Sequence, residues 1–171
     1  LLFWVELNKI GPYFEGPFHG LSFTNNNDYT SLYICLGGNH IAYGRDKDVD
    51  LIENAHNFLS EIAKLDPATG KTVAKYDSPG SGVVAWRNGA ADAQTTGAHG
   101  LEWQAGKLYV ASPPSQFVHV MDPETWTETH RFRAPGLRVH GLAWGPQDRL
   151  WVADTSNGTI SLCDPTDGRI F

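Results

Sequence analysis

One phrase returns along this chain at a nearly fixed spacing, and that constrains the fold more than any other feature. "GAHGLEW" (97–103) and "RVHGLAW" (138–144) each place a histidine before Gly-Leu, and a looser copy, "PFHGLSF", stands at 17–23. His99 and His140 are 41 residues apart. The copies at 97 and 138 each lead into an alternating run, "KLYVAS" (107–112) and "RLWVAD" (149–154). A third run then ends in Asp-Pro, "FVHVMDPETW" (117–126) and "TISLCDPTDG" (159–168), with Asp122 and Asp164 separated by 42 residues. "EIAKLDPATGKTVAKYDSPG" (61–80) carries the same ending and matches "HVMDPETWTETHRFRAPG" (119–136) as far as the closing Pro-Gly. A period of this length is the mark of a repeat architecture.

Alternation of apolar and polar residues over five or six positions is the pattern of a half-buried strand. The Asp-Pro-x-Thr-Gly endings read as hairpin turns. Asp accepts a backbone bond, Pro presets φ, and Gly takes a positive φ before the return strand. Asp66, Asp122 and Asp164 are therefore turn residues, and Trp126, standing where Gly is expected, predicts a slightly different turn. Each unit is four short antiparallel strands in roughly 40–45 residues, which is the blade of a β-propeller. The fold class expected is all-β, an incomplete propeller with about three to three and a half blades visible of a six- or seven-bladed ring.

The units divide the chain as follows. Residues 1–16 read as the end of a preceding blade, and 17–80 as a blade with an insertion at 37–60. Residues 81–96 form an insertion between blades, 97–138 a blade, and 139–171 an incomplete blade. Within 37–60, Val49, Ile52, Ala55, Phe58 and Leu59 have helical spacing, predicting a short helix near 48–59. So few blades imply either a fragment of a longer propeller or a half-ring closed by a second copy.

Composition narrows the function. The net charge is −6 with no basic face, which argues against nucleic acid as a partner. No apolar run approaches the ~20 residues of a membrane span. "LLFWV" at 1–5 is too short for a signal-peptide core, and the compartment is not readable from this chain. Cys35 and Cys163 lack partners at zinc-finger spacing and read as small buried hydrophobes. Trp103, Trp144 and Trp151 read as core between blades. "DKDVD" (46–50) lacks the Gly and Glu of a calcium loop, having Leu51 and Asn57 there, and reads as a solvated helix start.

The histidines stand at equivalent positions on first strands, which line the channel of a propeller. Setting Trp144 opposite Leu150 brings His140 opposite Asp154, and the same construction sets His99 against Ser112 and His19 against Leu36. Three imidazoles would then surround one funnel mouth, able to bind a divalent ion or exchange a proton near neutral pH. A histidine at this place can equally bond to the neighbouring blade's backbone and hold the ring together. His140 and Asp154 are the candidate catalytic pair, and His19, His99 and His140 the candidate metal ligands. His40, Tyr43 and Arg45, in the first insertion, are candidate substrate-binding residues on a lid over the same face.

"VHGLAWGPQDRLWVADTSNGTISLCDPTDGRI" (139–170) resembles a blade of the virginiamycin B lyase, SMP-30/gluconolactonase and NHL group of propellers. The resemblance is good over 97–171 and loose over 17–80. In the lyases a His and an acid 14 residues apart, as His140 and Asp154 are here, open a cyclic ester in a metal-assisted funnel. Asp154 stands where the lyases have Glu, and Ser112 and Leu36 leave the other blades without an acid. The resemblance implies a lyase or lactone hydrolase acting on a small cyclic ester or related molecule, with a divalent ion (Mg, Ca or Zn) and no organic cofactor. The alternative is a non-catalytic propeller that serves as a binding platform, with the repeated histidine structural.

Overall fold

The computed structural model describes residues 61–80 and 97–171 in full, and describes four further strands by their backbone: Phe18–Phe23, Leu32–Leu36, Ala85–Arg87 and Ala90–Asp92. The predicted helix near 48–59, the insertion at 37–60 and residues 1–16 lie outside the described residues.

The repeat units fold as antiparallel meanders. The first comprises β1 (Phe18–Phe23), β2 (Leu32–Leu36), β3 (Glu61–Leu65) and β4 (Thr72–Asp77), paired in chain order. A small hairpin, β5 (Ala85–Arg87) with β6 (Ala90–Asp92), lies within the second insertion. The second unit is β7 (Gly100–Gln104), β8 (Lys107–Ser112), β9 (Phe117–Asp122) and β10 (Thr127–Arg133). The third is β11 (Val139–Trp144), β12 (Leu150–Asp154) and β13 (Thr159–Cys163). Apart from a 3-10 turn at Pro146–Asp148, the described residues are strands and turns. The described residues are thus all-β, in separate antiparallel sheets. Among them no helix is long and apolar enough to cross a membrane.

The Asp-Pro turns form as their chemistry dictates. Asp66 accepts the Ala68 amide at 2.8 Å and the Thr69 hydroxyl at 2.8 Å. Asp164 accepts the Thr166 amide at 2.9 Å, and Asp122 accepts those of Glu124 and Thr125. Gly70 and Gly168 take positive φ of 68° and 77°. Trp126 takes φ 54° in the same place, so the turn is the same one and not a variant. Its ring stacks on Tyr76 with centroids 4.0 Å apart, and its Nε1 donates to the Asp77 carbonyl at 3.0 Å. Those contacts with the first sheet offset the conformational cost of a left-handed non-glycine residue.

Strand alternation sends side chains to both faces, and consecutive sheets pack face to face. Ile62 of the first sheet joins Leu101, Trp103, Leu108, Val110 and Met121 of the second in one core. Ala111, Val118 and Phe132, on the other side of the second sheet, join Val139, Leu150, Val152 and Cys163 of the third. Leu108 and Leu150 are fully buried, so truncating either to Ala would cost about 2–5 kcal/mol. Trp103 belongs to the first of these cores, and Trp144, partly buried, packs against the second. Trp151 does not: it is 38% exposed, because β12 turns Leu150, Val152 and Asp154 inward and Trp151 to the face that no further described sheet covers. The first strands lie side by side, with β7 between β1 and β11.

Candidate functional site

Where β7 and β11 begin, their backbones come very close. A Cβ on Gly100 would run into the His140 carbonyl oxygen. This explains the His-Gly phrase in the second unit: only glycine lets the neighbouring first strand approach so near. The approach brings the two histidines together. His99 Nδ1 and His140 Nδ1 are 3.2 Å apart, and the rings meet edge to face with centroids 4.2 Å apart. His99 is buried at 5% exposure, and His140 is half-buried. The expected convergence of first-strand histidines is therefore seen for this pair.

His19 lies on β1, which adjoins β7. Its register on β2 slips from Phe18↔Leu36 to Gly20↔Cys35, so Phe18, and not His19, faces Leu36. The backbone thus bulges at the histidine. β11 does the same: Trp144 faces Leu150 as expected, but the register shifts before the strand start and sets Val139 opposite Asp154. A bulge adds one residue and re-aims the side chains around it. The pairing of His140 with Asp154 is corrected accordingly. β7 has no such slip, and its register on β8 runs unbroken from Gln104↔Lys107 to Gly100↔Ala111, with the His99 amide bonded to the Ala111 carbonyl at 2.9 Å.

Asp154 is engaged elsewhere. It is 2% exposed, and its carboxylate accepts the amides of Arg138 at 2.7 Å, Ser156 at 3.2 Å and Asn157 at 3.1 Å. The Ser156 hydroxyl lies 2.8 and 2.6 Å from its two oxygens. Burial alone would raise its pKa, but donation from Ser156, Arg138 and Asn157 outweighs that and holds the carboxyl below its ordinary value. Gly136, at φ 90°, packs so closely that a Cβ there would strike the carboxylate. The aspartate ties the β12–β13 turn to the Pro-Gly loop that enters β11.

Among the described residues, no group of three or more His, Cys, Asp or Glu side chains is placed to hold a metal ion. The His19 side chain and His40, Tyr43 and Arg45 lie outside the described residues. A second cluster was not anticipated from sequence: Ser115, His119 and Glu128 form a hydrogen-bonded chain on the second sheet. The only trace in the sequence is a Ser four residues before a His on a strand.

No family model matches the chain, and no curated protein matches it. Among solved structures, the hydrazine synthase of Kuenenia stuttgartiensis is similar, with a TM-score of 0.51 at 16% identity. The match covers 95% of this chain and 36% of that one. The likeness is one of fold alone.

Proposed function

We propose that the stacked sheets are consecutive blades of a β-propeller of the lyase and lactonase-like group, whose channel mouth acts on a small cyclic ester or related molecule with a divalent ion. The side-by-side first strands and face-to-face sheets support the propeller reading. The single observation carrying the site is the 3.2 Å between His99 Nδ1 and His140 Nδ1. Two imidazole nitrogens bound tetrahedrally to one zinc ion, each at about 2.0–2.1 Å, lie about 3.3–3.4 Å apart, so the observed pair fits two ligand positions. His19, at the equivalent place on the adjoining strand, is the third ligand in this proposal. When bound, the ion would polarise the ester carbonyl as a Lewis acid.

Asp154 has no proton-transfer part in this reading, because its lone pairs are taken by local donors. His99 and His140 would hold the ion and orient what it binds. The insertion at 37–60 leaves β2 at Leu36 and re-enters at Glu61, residues that pair with each other at the histidine end of the sheet. His40, Tyr43 and Arg45 on that insertion are proposed to contact substrate.

A second reading is favoured by the burial of His99 and the direct contact between the rings. In it the pair is an N–H···N latch between blades of a non-catalytic binding platform. Metal analysis of the dialysed protein distinguishes the two. The enzyme reading expects close to one divalent ion per chain, lost in His99→Ala and His140→Ala. No metal in the wild type, with equal destabilisation of both variants by about 1 kcal/mol, would favour the latch.

A further inference from the structure

His119 lies on β9 with its neighbours Phe117 and Met121 on the face turned toward the first sheet, and it is 3% exposed. Its two ring nitrogens are both engaged. Nε2 is 2.8 Å from the Ser115 hydroxyl oxygen, and Nδ1 is 2.5 Å from Glu128 Oε2. The second Glu128 oxygen is 3.7 Å from Arg131 Nε, and the Arg131 guanidinium stands over the Phe117 ring, 5.0 Å from its centroid. The carboxylate is thereby oriented from its far side.

The charges settle the proton positions. An ionised Glu128 can only accept, so Nδ1 carries the hydrogen between them. Burial lowers the His119 pKa despite the opposing pull of Glu128, which leaves the imidazole neutral at pH 7. A neutral ring protonated at Nδ1 has a bare Nε2 facing Ser115, so the serine hydroxyl donates and the imidazole accepts. Ser115 Oγ also accepts the Phe117 amide at 3.3 Å, which fixes the orientation of the hydroxyl. The Ser112 carbonyl, 3.2 Å from Ser115 Oγ, is a second acceptor for the same hydroxyl proton in the resting site. Ser115 is only partly buried.

We propose that Ser115, His119 and Glu128 form an acyl-transfer site, with Ser115 as nucleophile, His119 as general base and Glu128 as its orienting carboxylate, acting on small carboxylic esters. The arrangement has the order of a nucleophile, base and orienter. The site is separate from the first-strand histidines and does not rest on their reading. In the step, Ser115 Oγ bonds to the ester carbonyl carbon while its proton passes to His119 Nε2. The carbon–oxygen bond to the leaving alcohol then breaks, and His119 returns the proton to that alcohol. Water repeats the sequence on the acyl-serine, with the same imidazole as base, releasing the acid and restoring Ser115.

The test is the rate of covalent labelling by an alkyl fluorophosphonate, read by intact mass and peptide mapping, alongside hydrolysis of 4-nitrophenyl acetate. Labelling replaces the phosphorus–fluorine bond with a phosphorus–oxygen bond to serine and releases fluoride. One label on Ser115 is expected, absent in Ser115→Ala. His119→Gln should slow labelling by about 10²-fold or more. Glu128→Gln, at a half-exposed position where folding is not in question, should slow it by about 10-fold, with circular dichroism unchanged. The proposal is overturned if Ser115 reacts no faster than the other serines. It is equally overturned if folded Glu128→Gln is labelled at the wild-type rate, which would leave the three residues as a packing contact.

Discussion

Ser112 and Asp154 end the second strands of successive units and are 42 residues apart, one repeat. Each lies beneath the Pro-Gly loop of the preceding unit, and a Cβ on Gly80 or Gly136 would strike the side chain below it. The backbone setting is the same and the chemistry is opposite. Asp154 is saturated by donors from three residues, whereas Ser112 Oγ, fully buried, has no hydrogen-bond partner among the described residues. In the middle unit the turn is closed instead by the Gln116 amide on the Ser112 carbonyl at 2.9 Å, and the side chains that follow are the Ser115–His119–Glu128 chain. The repeat conserves where strands end and leaves the residues there free to do different jobs.

The comparison is broken most severely at the backbone. Gly100→Ala pushes a methyl into the His140 carbonyl and should destabilise the protein by about 3 kcal/mol or more, measured by denaturant unfolding. Gly141→Ala, the same position one unit on, meets only the Ala153 Cβ at 3.6 Å and should cost about 1 kcal/mol or less. Equal losses at the two sites would show that the first strands do not approach as described.

Side-chain truncation sharpens the contrast between the paired positions. Asp154→Ala leaves the Arg138, Ser156 and Asn157 donors without their acceptor and should cost about 3 kcal/mol. Ser112→Ala removes a hydroxyl that makes no described bond and should change stability by about 0.5 kcal/mol or less. A large loss in Ser112→Ala would mean that the hydroxyl has a partner outside the described residues.

A smaller effect follows from titration. The Asp154 pKa is lowered on folding, so its stabilisation is present above the unfolded value of about 3.9 and is lost as pH falls through the folded value. The difference in melting temperature between wild type and Asp154→Asn should be constant from pH 7 to 5 and shrink below about pH 4. A difference that instead changes around pH 6–7 would place a histidine in contact with the carboxylate.

The strands and turns were legible because local chemistry dictates them. Alternation marks β8 and β12, and Asp-Pro with a following Gly marks the hairpins at Asp66 and Asp164. Trp126 misled, since its stack on Tyr76 belongs to another sheet and has no local signature. The convergence of His99 and His140 followed from their equal places in the repeat. The pairing of His140 with Asp154 failed by a single residue, because a bulge shifts register without leaving a mark in the hydrophobic pattern. Ser115 and Glu128 meet through His119 across the β9–β10 pairing, which carries its own register slip between Glu128 and His130. No spacing rule in the sequence anticipates that contact.

The central claim is that the paired histidines His99 and His140 serve the proposed site while Asp154 serves the fold. Chelator-competition measurement of zinc affinity in wild type, His140→Ala and Asp154→Asn tests it most directly. The account predicts an affinity at least about 100-fold weaker in His140→Ala, and within about 3-fold of wild type in Asp154→Asn even as its melting temperature falls. A folded Asp154→Asn that loses zinc as completely as His140→Ala would contradict it and return the carboxylate to the metal site.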